Sequence, residues 1–134
     1  YYFRDFFYSD SGLLASIIVL NVVAQMKAKG ISISQLISKI EKYRNSGEVN
    51  FKVEDKKGAM EAVKEHFTAE ETPTAFMDFD GYRVEFPDWW FNVRPSNTEP
   101  YLRFICEATS ETLLAEKLEQ VKDIIVNRFG GQQK

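Results

Sequence analysis

The sequence predicts an α+β fold: an antiparallel sheet with helices packed on one face, preceded by two further helices. Three observations carry this. Apolar residues recur at helical spacing in four segments, and between the last two lie short runs that alternate apolar and polar. Asp80-Gly81 sits between two such runs, the strongest two-residue hairpin signal in the chain. The order of these segments after residue 47, β-α-β-β-β-β-α, is that of a small sheet with its helices on one side.

Each element has its own reason. Ser9, Asp10 or Ser11 can cap a helix running to about Lys29, where Gly30 is a natural stop. Apolar residues nearly encircle it from Leu13 to Val23, so it belongs in an interior. A second helix follows Ser32, with Ile33, Leu36, Ile37, Ile40 and Tyr43 on one stripe and Lys42 and Arg44 suiting its C-terminal end. Two helices cannot bury that much apolar surface between them, so a covering partner, a sheet lying upstream, is expected. Asn45-Ser46-Gly47 reads as a linker. Val49, Phe51 and Val53 then share one side of a strand, and Asp55 caps a helix with Ala59, Met60, Val63 and Phe67 inward. Thr68 to Thr74 is polar and turn-like. Strands follow at Phe76–Phe79, Tyr82–Phe86 and, after the Pro87-Asp88 turn, Trp89–Val93. Leu102, Phe104, Cys106 and Ala108 line one face of the next strand. Ser110 caps a last helix with Leu114, Leu118, Val121 and Ile125 inward, ending at Gly130-Gly131. The expected domains are 1–47, ending in the linker, and 48–134.

Composition narrows the function classes. With 44% hydrophobic and 14% aromatic residues in 134, the chain can pack a core and is not disordered. Its one cysteine, Cys106, excludes an internal disulfide and suits a reducing cytoplasm. Leu13–Ala24 is interrupted by Ser16 and Asn21 and falls short of the roughly 20 residues of a spanning helix, so no membrane association is expected. Residues 1–47 carry six Lys/Arg against three Asp/Glu, and residues 48–134 eleven against seventeen. The acidic second part argues against a nucleic-acid partner, which needs a basic surface. The chain opens on Tyr1-Tyr2-Phe3 without Met, in mid-pattern, so a piece of a longer protein is expected.

Arg94-Pro95-Ser96-Asn97-Thr98-Glu99-Pro100 is the densest chemistry. A guanidinium, two hydroxyls and an amide lie between two residues that lack an amide hydrogen and shape a loop. The planar fork of arginine matches two phosphate oxygens, and Ser, Asn and Thr add short donors. The residues alone leave two readings open, a phosphate grip and an ordinary polar turn. Arg103 falls opposite the core face of its strand, where it can lean toward the loop or stand solvated. Glu99 reads as a partner for Arg94 or Arg103. Asp78, Asp80 and Asp88 are better explained by the hairpin and turn than by a metal. His66 suits the end of its helix and has no nucleophile signature beside it. Trp89 and Trp90 point to opposite faces, so at most one can stack a ligand.

Arg94–Pro100, preceded by Trp90-Phe91-Asn92-Val93, resembles the phosphate-binding loop of the α-D-phosphohexomutases. Tyr2-Phe3-Arg4-Asp5-Phe6-Phe7-Tyr8-Ser9-Asp10-Ser11-Gly12 resembles the segment after that family's sugar-recognition loop in bacterial phosphomannomutases. Asn97 favours the phosphomannomutase/phosphoglucomutase branch, since the amino-sugar mutases generally have glycine there. The resemblance implies a four-domain parent that interconverts hexose 6-phosphate and hexose 1-phosphate through a phosphoserine in domain 1, assisted by Mg2+ bound by domain 2. This chain would be the end of the third, α/β domain, which supplies the first two helices, and all of the fourth. It implies no catalytic residue and no metal in this chain, which alone would be inactive. By motif position Arg94, Ser96, Asn97 and Thr98, with Arg103 as a further candidate, would clamp the phosphate not being transferred. The linker would let this part swing closed over the active site. The implied partners are mannose or glucose 1- and 6-phosphates and the missing N-terminal domains. A free-standing module that binds a phosphorylated ligand, or another phosphohexomutase such as a phosphoglucosamine mutase, is the alternative.

Overall fold

The computed structural model describes residues 2–134; Tyr1, read above with the opening segment, lies outside them. Contacts divide the chain into two compact units, one ending at Lys42 and one spanning Tyr43–Lys134.

In the first unit, β1 (Tyr2–Phe3) pairs antiparallel with β2 (Ser9–Asp10). Phe7 and Tyr8, between them, hold left-handed φ values of 55° and 52°, uncommon for aromatic residues. Helix α1 (Gly12–Ala28) is capped by Ser11, whose Oγ accepts from the Leu14 amide at 3.1 Å. Gly30 takes φ 74° just beyond it. Helix α2 (Ile33–Ile40) begins with a capping box in which Ser32 and Gln35 each accept the other's backbone N–H. Neither helix has a buried residue. No single helix among the described residues is long and apolar enough to cross a membrane.

Helix α2 stops at Ile40, so Lys42, Tyr43 and Arg44 do not extend it. Sheet pairing is the reason. Arg44–Asn45 is strand β3, paired antiparallel with Ala108 and Glu107 of β8 (Tyr101–Ala108). The segment expected as a linker therefore runs along a strand. Ser46 donates its N–H to Cys106 O at 3.0 Å, and its Oγ accepts from Cys106 N at 2.9 Å. Gly47, at φ 66°, lets the chain bend and rejoin the same strand as β4 (Val49–Lys52).

The second unit is an antiparallel sheet of seven strands among the described residues, with two helices on one face. Strand β5 (Ala75–Met77) pairs with β6 (Tyr82–Glu85), β6 with β7 (Trp89–Pro95) and β7 with β8. Strand β4 follows, with β9 (Gln132–Gln133) at the edge. Alternation works as the sequence predicts. Phe51, Val84, Phe91, Val93, Leu102, Phe104 and Cys106 are fully buried on one face. Against them pack Ala59, Val63 and Phe67 of α3 (Lys56–Glu70) and Val121 of α4 (Glu111–Lys122). Ile124 and Ile125 of the π-helical turn Asp123–Arg128 complete the core. Leu114 and Leu118 are partly buried against it. Asp55 caps α3 through Gly58 N at 2.8 Å and Ser110 caps α4 through Leu113 N at 3.2 Å. The core is aromatic. Phe86 stacks on Trp89 at 4.7 Å, and Trp89 meets the Phe67 ring edge-on at the same separation. Lys117 is buried beside them, its Nζ 5.2 Å from the Phe67 ring and 3.6 Å from Glu70.

Two expectations shift. Helix α3 runs on to Glu70, through residues read as a turn. The β5–β6 hairpin exists but does not close in two residues, because Met77 pairs with Arg83. Gly81, at φ 74°, instead lies against β7, where an added Cβ would collide with Arg94 and the Val93 carbonyl. Asn92 Nδ2 donates to the Asp80 carbonyl at 3.1 Å. Close approach to the next strand, rather than a tight two-residue reversal, sets this turn. Strand β9 was not evident in Gln132-Gln133; its pairing with β4 supplies the pattern that the residues lack.

Candidate functional site

The sheet face away from the helices carries the polar chemistry. Strand β7 sends Trp90, Asn92 and Arg94 to it and β8 sends Tyr101, Arg103, Ile105 and Glu107, since their neighbours in sequence are buried. Register places Arg94 directly across from Arg103. At the far end of the same face the Arg83 guanidinium covers the Trp90 ring at 3.9 Å, and Trp90 Nε1 donates to Glu107 at 3.1 Å. The Trp90 ring is thus occupied, and Trp89 is in the core.

The Arg94–Pro100 segment is a strand end and a loop. Pro95 pairs with Leu102, and Ser96 donates its N–H to Tyr101 O at 2.9 Å, so the two strands close at the loop's base. Ser96 Oγ accepts from the Glu99 amide at 3.2 Å, folding the loop back and leaving the hydroxyl proton available to a ligand. Asn97 and Thr98 are exposed at the tip. Arg94, Ser96 and Arg103 are brought together at the base, whereas Asn97 and Thr98 stand beyond them.

Two carboxylates attend the arginines. Arg103 Nη2 donates to Glu99 Oε2 at 2.9 Å, one of the two pairings expected of Glu99. Glu48 Oε2 lies 3.5 Å from Arg103 Nη1 and 3.9 Å from Arg94 Nη2. Sequence reasoning missed Glu48, because only the β4–β8 register, Val49 against Phe104 and Asn50 against Arg103, brings it beside the loop. Arg103 Nε and Asn50 Oδ1, across this pairing, are buried without a hydrogen-bond partner. The arginine side chains remain 30% and 25% exposed, reachable from solvent.

The other singled-out groups do structural work. His66 Nε2 lies 3.3 Å from Glu70, one helical turn on. Tyr82 donates its hydroxyl to Glu61, which also pairs with Lys64; these bonds hold the Glu61 carboxyl below its usual range and raise the Tyr82 phenol. Burial pushes the Cys106 thiol up to about 11, so it is inert as a nucleophile. Among the described residues no group of three or more His, Cys, Asp or Glu is placed to hold a metal ion. A hollow of about 530 Å³ beyond Pro100 is lined by Lys52, Glu54, Lys56 and Phe129, and one of about 300 Å³ lies beside Trp90 and Asn92. Arg94 lines neither. A small anion can be held on an open loop, where directed donors matter more than enclosure.

Residues 48–124 match the family model described as phosphoglucomutase/phosphomannomutase, C-terminal domain. The chain is 40% identical over 125 residues to a phosphomannomutase of Methanocaldococcus jannaschii, covering 93% of this chain and 26% of that protein. It is 40% identical over 127 residues to a phosphomannomutase of Vibrio cholerae, covering 93% and 27%. In fold it resembles a phosphoglucomutase/phosphomannomutase family protein from Burkholderia thailandensis, with a TM-score of 0.63 at 22% identity, over 94% of this chain and 26% of that one. The chain spans about a quarter of the length of these relatives.

Proposed function

Because this chain belongs to the phosphoglucomutase/phosphomannomutase family, we propose that it is the C-terminal part of an enzyme interconverting hexose 6-phosphate and hexose 1-phosphate. Its Tyr43–Lys134 unit grips the phosphate that is not transferred. The observation that carries this reading is Arg94 and Arg103 side by side at the base of a loop rich in short donors. Two guanidiniums, the Ser96 hydroxyl and the exposed Asn97 and Thr98 side chains suit the three terminal oxygens of a phosphate monoester.

Such a grip serves catalysis at a distance. Binding energy from the anchored phosphate positions the opposite end of the sugar for reaction, and a symmetrical anchor accepts either phosphate in turn. Closure over the substrate would exclude water; with Asn45 and Ser46 on β8, any hinge for it lies before this unit's first strand. The phosphoryl donor and the Mg2+ site belong, on this reading, to other domains of the parent protein. This chain alone therefore binds substrate without turning it over, in a reducing compartment such as the cytoplasm.

Calorimetric titration with mannose 6-phosphate tests the reading. Weak binding is expected, competed by inorganic phosphate and removed by Arg94→Ala. Equal binding by that variant would overturn the loop assignment, and mutase turnover by this chain alone would overturn the division of labour.

A further inference from the structure

We infer that Glu48 is a built-in counter-ion for the arginine pair, occupying it between ligands and giving way when a phosphate arrives. The inference rests on the phosphate-grip reading and adds a residue to which no role is otherwise given. Like charges placed directly opposite on neighbouring strands repel, and Arg94 and Arg103 are such a pair. One oxygen of Glu48 reaches toward both, and Glu99 holds the far nitrogen of Arg103. The charges of these four side chains cancel, so the resting site is neutral rather than doubly positive.

The contacts are graded. Glu99 to Arg103, at 2.9 Å, is a hydrogen bond, whereas Glu48 to Arg94, at 3.9 Å, is an ion pair without one. Glu48 is 43% exposed, so this link is weak and its carboxylate can turn to water. An incoming phosphate brings up to two negative charges to Arg94 and meets the Glu48 carboxylate there. The least costly rearrangement parts Glu48 from Arg94 and leaves Arg103 tied to Glu99. The unpartnered Arg103 Nε, at the buried base of the pair, fits a site whose donors are not all satisfied at rest. Glu48 thus favours the empty state and costs affinity for the bound one, which suits an anchor that must release each phosphate end in turn.

Inorganic phosphate titrated into the 134-residue chain at low ionic strength tests this, with the wild type, Glu48→Gln, Glu48→Gln/Arg94→Ala and the remote exposed control Glu65→Gln. Glu48→Gln keeps the side chain's shape and removes its charge. It is expected to tighten phosphate binding about three- to tenfold and to lower the melting temperature in the absence of phosphate. Glu65→Gln should change affinity by less than about twofold, because distant exposed charges are screened. The double variant should lose the gain. A purely structural role for Glu48 would weaken binding together with stability. Unchanged or weaker binding by Glu48→Gln, with wild-type binding still dependent on Arg94, would overturn the counter-ion and leave the grip standing. Absence of phosphate binding by both the wild type and Glu48→Gln would overturn both.

Discussion

Between Tyr43 and Lys134 most large apolar side chains are inside, with Phe76 and Phe79 exposed; between residues 2 and 42 none is buried. Phe51, Phe67, Phe91 and Phe104 have no exposed surface, whereas Leu13 is 75% and Phe7 89% exposed. The local signals are equally good in both regions, since α1 and α2 are capped as well as α3 and α4. What differs is the partner. A sheet gives α3 and α4 a flat apolar face, while within its own unit α1 packs on α2. Caps decide where a helix begins; burial decides whether it is stable. On the proposed reading, the upstream part of the parent's third domain covers α1 and α2.

Substitutions can break this comparison, beginning with the core. Phe91→Ala should destabilise the Tyr43–Lys134 unit by about 3–5 kcal/mol in a denaturant titration, because the ring touches Phe67, Trp89 and Phe104. Gly81→Ala should cost about 1–3 kcal/mol, from its left-handed φ and the collision with β7. It should also weaken phosphate binding, since the strand it pushes carries Arg94. Alkaline pH should act more gently. A thiol whose native pKa is raised favours the folded state below its ordinary pKa and loses that contribution as pH climbs. For Cys106 the window runs from 9.0 to about 11. Cys106→Ala should flatten the stability profile there, and an unchanged slope would assign it to other groups. Smallest of all, Leu20→Ser on the exposed side of α1 should shift stability by less than about 0.5 kcal/mol. A loss matching that of Phe91→Ala would mean that α1 is packed after all, and the contrast between the regions would fail.

How much was legible follows from how local each cause is. The alternation of Leu102, Phe104, Cys106 and Ala108 and the caps at Asp55 and Ser110 need only neighbouring residues, and they read correctly. So did the opposite facing of Trp89 and Trp90. For α1 the sequence narrows the cap to Ser9, Asp10 or Ser11, of which Ser11 serves. Arg44 and Asn45 misread because their partners are Ala108 and Glu107, more than sixty residues away. Gly81 misread in kind: its neighbours signal a two-residue turn, but the space it needs is set by Arg94 on the next strand. At the site, Arg94 and Ser96 were visible in one short string and Arg103 by alternation. Glu48 was invisible, since a strand register joins it to them.

The central claim is that the loop from Arg94 to Pro100, with Arg103, is where this chain meets phosphate. Backbone amide shifts mapped during a mannose 6-phosphate titration test it most directly. The expected result is saturable shifts at Arg94, Ser96–Glu99 and Arg103, with Glu48 moving in step and residues of α1 and α2 unmoved. Shifts centred instead on the Lys52, Lys56 and Phe129 hollow, with Arg94 and Ser96 silent, would contradict it.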